Sequence, residues 1–148
     1  MLNTILVALD VNADIATAKN EMSDRVFQTL QQLDLTKTSK IVLSHVVASH
    51  AEVEVSVDRP SANLETFPYA QIEQQLEIYQ KSLPCASQLE IVTGDPAEEI
   101  VRLAKIYDAD LIILGSRGLT GIKRILLGSV SSQIVEDAPC SVLVVKPK

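Results

Sequence analysis

Five short runs of aliphatic residues recur along the chain, and their spacing leaves few folds open. TILVAL (Thr4 to Leu9), KIVLSHVV (Lys40 to Val47), SQLEIV (Ser87 to Val92), LIIL (Leu111 to Leu114) and SVLVV (Ser141 to Val145) are short and rich in Val, Ile and Leu. Runs of this kind suit strands covered on both faces. Helical spacing fills the segments between them. Val26, Phe27, Leu30 and Leu33 form one stripe, with Ser23 placed as an N-cap, and Ile72, Leu76, Tyr79 and Leu83 form a second. In DPAEEIVRLAKIYDAD, Asp95 is the cap, Pro96 opens the first turn and Glu98 follows three residues after the cap; Ala97, Ile100, Val101, Ala104 and Tyr107 make the buried side. SVSSQIVEDA, from Ser129, predicts a short helix stopped before Pro139.

The order β-α-β-α-β-α-β-α-β implies a parallel sheet with helices on both faces, and right-handed crossovers make it a doubly wound α/β fold. Ligands of such sheets bind beyond the carboxyl ends of the strands, where the winding reverses. Asp10, after the first strand, and Gly115, after the fourth, are therefore the first candidates. Two connections exceed the compact plan: residues 10–22 and residues 48–70 read as long loops. The alternation in AEVEVSV, Ala51 to Val57, is compatible with a short extra strand.

A length of 148 residues predicts one domain, and 3% aromatic residues with no Trp predict an aliphatic core. A net charge of -6 with pI near 4.8 argues against general binding of nucleic acid or anionic membrane, which needs a broad cationic face. No apolar run approaches the roughly 20 residues of a membrane span, and the N-terminal run is too short for a signal peptide. The expected location is the cytoplasm, with Cys85 and Cys140 as free thiols that have no CxxC partner.

Against this acidic background, GSRGLTGIKRILLGSV (Gly115 to Val130) holds four of the five glycines together with Arg117, Lys123 and Arg124. It contains no GxGxxG, and no Lys follows Gly128 as a GxxxxGK[ST] loop requires. Gly115 and Gly118 permit positive φ and leave room for a ligand. Gly128 and Ser129 open a helix whose unpaired N–H groups attract an anion. These features suit a phosphate cradle; they also suit an ordinary exposed loop in which Gly128 merely lets a helix start close to the sheet. Asp10 reads either as a cap or as a group for a ribose hydroxyl or a Mg²⁺ shell. His45 reads as a packed strand residue rather than a catalyst or metal ligand, and His50 as a loop residue.

With these residues in place, the chain resembles a universal stress protein of the ATP-binding branch. The resemblance rests on ILVALD, IVLSHVV, TGDPAEEIVRLAKIYDADLIILGSRG and LLGSVSSQIVEDAPCSVLVVKP, and on the pattern Gly-x2-Gly-x9-Gly-Ser at Gly115, Gly118, Gly128 and Ser129. It implies a five-stranded parallel sheet of order 3-2-1-4-5, of the adenine nucleotide alpha hydrolase-like kind. It implies that Gly115, Arg117, Gly118, Gly128, Ser129 and Val130 surround the phosphates and ribose of ATP, ADP or AMP. Asp10 would sit near the ribose or a bound Mg²⁺, and Ala8, Val46 and Leu114 against the adenine. It also implies a homodimer formed through the last strand, for which an apolar edge strand gives an independent motive. One departure is the extra VNADIATAK after Asp10, which brings Asp14 and Asn20 forward as substitutes for Asp10 or helpers to it.

A hydrolase must position water and stabilise the transferring phosphoryl group. Asp10, Arg117 and Lys123 are of the right kinds, but their spacing does not show that they converge. The favoured expectation is a nucleotide-responsive switch acting on a protein partner, with weak turnover at most. The alternatives are a slow Mg-dependent ATPase or nucleotidyl-transferring enzyme, and a sensor of AMP or a cyclic nucleotide.

Overall fold

The computed structural model describes residues 3–11, 21–48, 61–116 and 128–147. Five strands, β1 (Thr4–Ala8), β2 (Lys40–Ala48), β3 (Ala86–Gly94), β4 (Leu111–Gly115) and β5 (Ser141–Val145), form one parallel sheet of order β3-β2-β1-β4-β5. Between them run α1 (Glu21–Gln31), α2 (Ser61–Gln80), α3 (Pro96–Ile106) and α4 (Ser129–Asp137). The doubly wound sheet and its strand order are those expected.

β1 lies at the centre because it is apolar on both sides. Ile5, Leu6 and Val7 are fully buried and pair with Ile41, Val42 and Leu43 of β2 on one flank and Leu111, Ile112 and Ile113 of β4 on the other. Successive side chains enter opposite layers. Ile5, Val7 and Leu9 pack with Val26, Phe27 and Leu30 of α1 and Ile72 and Leu76 of α2. Leu6 packs with Ile100, Leu103 and Ala104 of α3 and Ile134 of α4. Each fully buried Leu or Ile contributes on the order of 1.5–3 kcal/mol, so the two layers fix the strand ends on which the cleft is built.

The best-signalled helix forms as read: the Asp95 carboxylate accepts the Glu98 N–H at 3.0 Å, and Pro96 occupies the first turn. Tyr107 is its C-cap, half-buried; its hydroxyl bonds Glu90 and its ring lies under the Lys40 ammonium, 5.0 Å away. Cys85 and Cys140 are free. Among the described residues, no helix is long and apolar enough to cross a membrane.

Two expectations are corrected. The helix expected to begin at Gln71 starts at Ser61 and runs through Pro68; a proline removes an internal hydrogen bond, so the periodicity reads as starting after it. Ser23 is not an N-cap. It lies inside α1, 1% exposed, and its hydroxyl donates to the Asp10 carbonyl at 3.0 Å, tying the helix to the end of β1. The stretch Ala51 to Val57 lies outside the described residues.

Candidate functional site

Where the winding reverses, the carboxyl ends of β1, β2 and β4 meet α1 and the amino end of α4 in an open cleft. Ala8, Val46, Ile100 and Leu114 give it an apolar wall, while Asp10, Ser44, His45, Ser116, Ser129 and Ser131 supply its polar groups.

The amino end of α4 is bare. Gly128, extended at φ -70° and ψ 164°, is its N-cap and makes no side-chain capping bond. The first helical bond runs from the Ser132 N–H to the Gly128 carbonyl at 3.0 Å, so the first-turn N–H groups before it have no helical acceptor. Space here is tight and suits glycine: a Cβ at position 128 would stand 3.1 Å from the Ser116 carbonyl oxygen. That carbonyl accepts the Gly128 N–H at 3.1 Å, and the Ser116 N–H donates to Val145 at 2.8 Å. Ser116 thus staples the ends of β4 and β5 to the start of α4.

Most serine hydroxyls in the cleft are committed to the main chain. Ser44 donates to the Val7 carbonyl at 2.9 Å, Ser131 to the Gly128 carbonyl at 3.1 Å, and Ser23 to Asp10 as above. The Ser116 hydroxyl differs: it is buried and has no hydrogen-bond partner among the described residues. Leaving such a group unpaired costs about 1–3 kcal/mol. A bare helix terminus, a glycine pressed against a carbonyl and an unpaired buried hydroxyl in one cleft fit a small anionic group.

On the opposite side stand Asp10 and His45. Burial raises the proton affinity of the Asp10 carboxyl, and the nearby His45 ring opposes the rise. His45 is 7% exposed, with Nδ1 2.9 Å from the Leu9 carbonyl oxygen. A carbonyl only accepts, so Nδ1 carries a proton and donates it. Among the described residues, no three His, Cys, Asp or Glu side chains cluster as a metal site.

A family model described as the universal stress protein family matches residues 1–146. The chain belongs to the universal stress protein family. It is similar to universal stress protein MJ0531 of Methanocaldococcus jannaschii, 53% identical over 57 residues, 38% of this chain and 34% of that protein, so it spans about a third of that relative's length. Among solved structures, MJ0577 of the same organism superposes with a TM-score of 0.83 at 28% identity, covering 100% of this chain and 98% of that one. A family protein from Arabidopsis thaliana, solved with AMP bound, gives 0.64 at 25% identity over 99% of this chain and 92% of its own.

In this universal stress protein, the sequence-read residues Ala8, Asp10, Val46, Leu114, Gly115, Gly128, Ser129 and Val130 all line the one cleft. Arg117, Gly118, Lys123 and Arg124 lie outside the described residues, as do Asp14, Asn20 and His50. Gly115 does not use the positive φ that glycine permits; among the described glycines it occurs at Gly94, φ 153°. Gly115 ends β4 in ordinary pairing, and the glycine that space demands is Gly128. Sequence reasoning did not select Ser116, whose signal was a lone polar residue directly after a buried strand. His45 is the packed strand residue expected, buried with Nδ1 on the Leu9 carbonyl.

Proposed function

We propose that this universal stress protein binds an adenine nucleotide, ATP by preference, and acts as a nucleotide-responsive switch. The observation that carries the reading is the bare amino end of α4 opening on the cleft that also holds the unpaired Ser116 hydroxyl. Together they offer a phosphate the donors it needs. The apolar wall of Ala8, Val46 and Leu114 offers a face for the base, and the AMP-bound Arabidopsis relative supports the ligand class. Asp10 is the carboxylate placed to meet a ribose hydroxyl or a Mg²⁺ carried in on the phosphates. Arg117 and Lys123 belong to the same proposal as cations near the triphosphate.

The remainder of the reading is a single-domain chain that pairs with a second copy along β5, an edge strand, and responds to ATP through its differential affinity for two arrangements of that pair. Calorimetric titration with ATP, ADP and AMP, each with and without Mg²⁺, tests it alongside a phosphate-release assay. ATP binding with negligible release is the expected result. Steady release makes the protein a slow ATPase, a preference for AMP makes it a sensor of low energy charge, and no binding of any of the three overturns the reading.

A further inference from the structure

β5 lies at the edge of the sheet, paired with β4 along one side, and its carboxyl end is fastened by two elements that also line the cleft. The Ser116 N–H donates to the Val145 carbonyl at 2.8 Å, which carries the β4–β5 ladder one residue past Gly115. Nε of Arg25, on α1, donates to the next carbonyl, that of Lys146, at 2.9 Å. The Val145 side chain, 5% exposed, packs in the layer that holds Val26 and Phe27 of α1. To the wall of the cleft α1 supplies Met22, Ser23 and Val26, and Arg25 is not among the lining residues. Arg25 therefore holds the end of β5 without itself lining the cleft.

Ser116 joins that edge to the anion end of the cleft. Its N–H is on β5, its carbonyl accepts the Gly128 N–H at the start of α4, and its buried hydroxyl has no partner among the described residues. When the end of β5 lifts away, the main chain of Ser116 loses a bond that fixes both that hydroxyl and the first turn of α4. A strand held by one neighbour opens at lower free energy than a central one. An anion seated at α4 then binds the closed arrangement more tightly than the open one, and this difference in affinity shifts the balance toward closure. We propose that Arg25 is a positioning residue for the anion cradle: it pins the end of β5 and so ties occupancy of the cleft to closure of the edge strand. The inference rests on the adenine-nucleotide reading above and supplies its regulation. Such coupling is reciprocal, so a second copy paired along β5 tightens the cleft that a nucleotide fills.

Substitutions at position 25 separate positioning from general stability. Arg25→Met keeps an aliphatic stem and removes the donor, Arg25→Lys keeps a donor on a stem of similar reach, and Asp110→Asn, at the amino end of the sheet, is the control for destabilisation away from β5. Each full chain is titrated with ATP and Mg²⁺, its melting temperature is recorded, and amide hydrogen exchange is followed by mass spectrometry in β5 and in the opposite edge strand β3. In the wild type, saturating ATP is expected to slow exchange in β5 by about tenfold and in β3 far less. Arg25→Met should exchange faster in β5 when empty and bind ATP about threefold to tenfold more weakly; Arg25→Lys should recover most of that loss, and Asp110→Asn should bind like the wild type. Wild-type ATP affinity in Arg25→Met overturns the proposal and leaves the nucleotide reading standing. Equal protection of β3 and β5, or an affinity loss in Asp110→Asn as large as that in Arg25→Met, also overturns it. Wild-type protein that does not bind ATP fails the nucleotide reading, and the proposal with it. Should Arg25→Met not fold, the wild-type comparison of β5 with β3 decides.

Discussion

The two ends of β1 each carry an aspartate, and the chain treats them oppositely. At the amino end, the Asp110 carboxylate accepts the N–H groups of Asn3 and Thr4 at 3.0 and 2.9 Å, and those bonds hold its proton affinity below the usual carboxylate range. The neighbouring backbone is paired as well: Lys40 N–H to the Asn3 carbonyl at 2.7 Å and Asp110 N–H to the Thr4 carbonyl at 2.8 Å. At the carboxyl end, Asp10 is desolvated, the Ser116 hydroxyl has no partner among the described residues, and Gly128 begins α4 without a side-chain cap. One end closes its polar groups on each other and stabilises the fold. The other leaves them open toward the cleft in which the proposed nucleotide would meet them. A doubly wound sheet allows this division because strand order opens a crevice only at the carboxyl side.

The comparison breaks most sharply at Gly128. Gly128→Val puts a Cβ 3.1 Å from the Ser116 carbonyl, a contact that backbone must yield to, and carries two methyl groups into the mouth of the cradle. Loss of ATP affinity by at least about 100-fold is expected, equivalent to about 2.7 kcal/mol. Overpacking of this kind costs about 1–3 kcal/mol in stability, so the far-UV spectrum should remain folded. Titration calorimetry beside circular dichroism checks both halves. Wild-type affinity in the variant means that the amino end of α4 is not where the ligand's anion sits.

Asp10→Asn comes next and should move stability and binding in opposite directions. A carboxyl whose folded-state proton affinity is raised above the ordinary 3.8 favours the fold while protonated. That contribution is lost as pH rises from the ordinary value through the raised one, so at pH 7 the ionised Asp10 is a net cost. The variant should therefore be more stable at neutral pH, on the order of 1 kcal/mol, as relief of a functional site commonly is. Its ATP affinity should fall by about tenfold through the lost charged hydrogen bond. Thermal melts across pH supply the sign check: the advantage of the variant shrinks as pH falls toward the ordinary carboxylate range. A constant advantage means that burial of charge at Asp10 is not its source.

The same asymmetry decides what could be read before folding. Strands β1 and β4 announce themselves because burial on both faces demands Val, Ile and Leu, β2 and the half-buried edge strand β5 because they too are mostly aliphatic, and α3 because Asp95, Pro96 and Glu98 state its start. The cleft residues Asp10 and Gly115 are legible because topology alone places strand ends at the crevice, and Gly128 because it opens a helix there. Ser116 was not, for a physical reason: its importance lies in a bond its hydroxyl does not make among the described residues. Whether a serine hydroxyl is committed to a carbonyl, as in Ser44, or left open, as in Ser116, depends on tertiary neighbours that no local pattern encodes. Ser23 shows the reverse error, a good capping residue taken into a helix to hold the Asp10 carbonyl. The early start of α2 was hidden by Pro68.

Asp110→Asn sharpens the comparison from the closed end. A carboxylate whose proton affinity is lowered by the Asn3 and Thr4 N–H groups contributes stability that is present above the ordinary 3.8 and lost as pH falls through the lowered value. The variant should melt lower than wild type at pH 7, and the gap should close in strong acid. Nucleotide affinity should stay within about twofold, because the change lies at the far end of β1 from the cleft. A drop in affinity as large as that of Asp10→Asn removes the division of labour between the ends.

The smallest effect, and the most discriminating, is expected from Ser116→Ala. In the empty protein the hydroxyl is buried without a partner, so its removal takes away an unsatisfied group while every main-chain bond of residue 116 remains. Melting temperature should hold or rise slightly. In the loaded protein the hydroxyl is proposed to donate to the bound anion, and a single neutral donor is worth about 0.5–1.5 kcal/mol, or a loss of about twofold to tenfold in ATP affinity. A serine that only fills space would instead leave affinity unchanged and stability improved. One whose hydroxyl braces the staple between β4, β5 and α4 would lower melting temperature and affinity together. Stability kept and affinity reduced is the pattern peculiar to a group held unpaired for a ligand, and it is the property that separates this end of the sheet from the other.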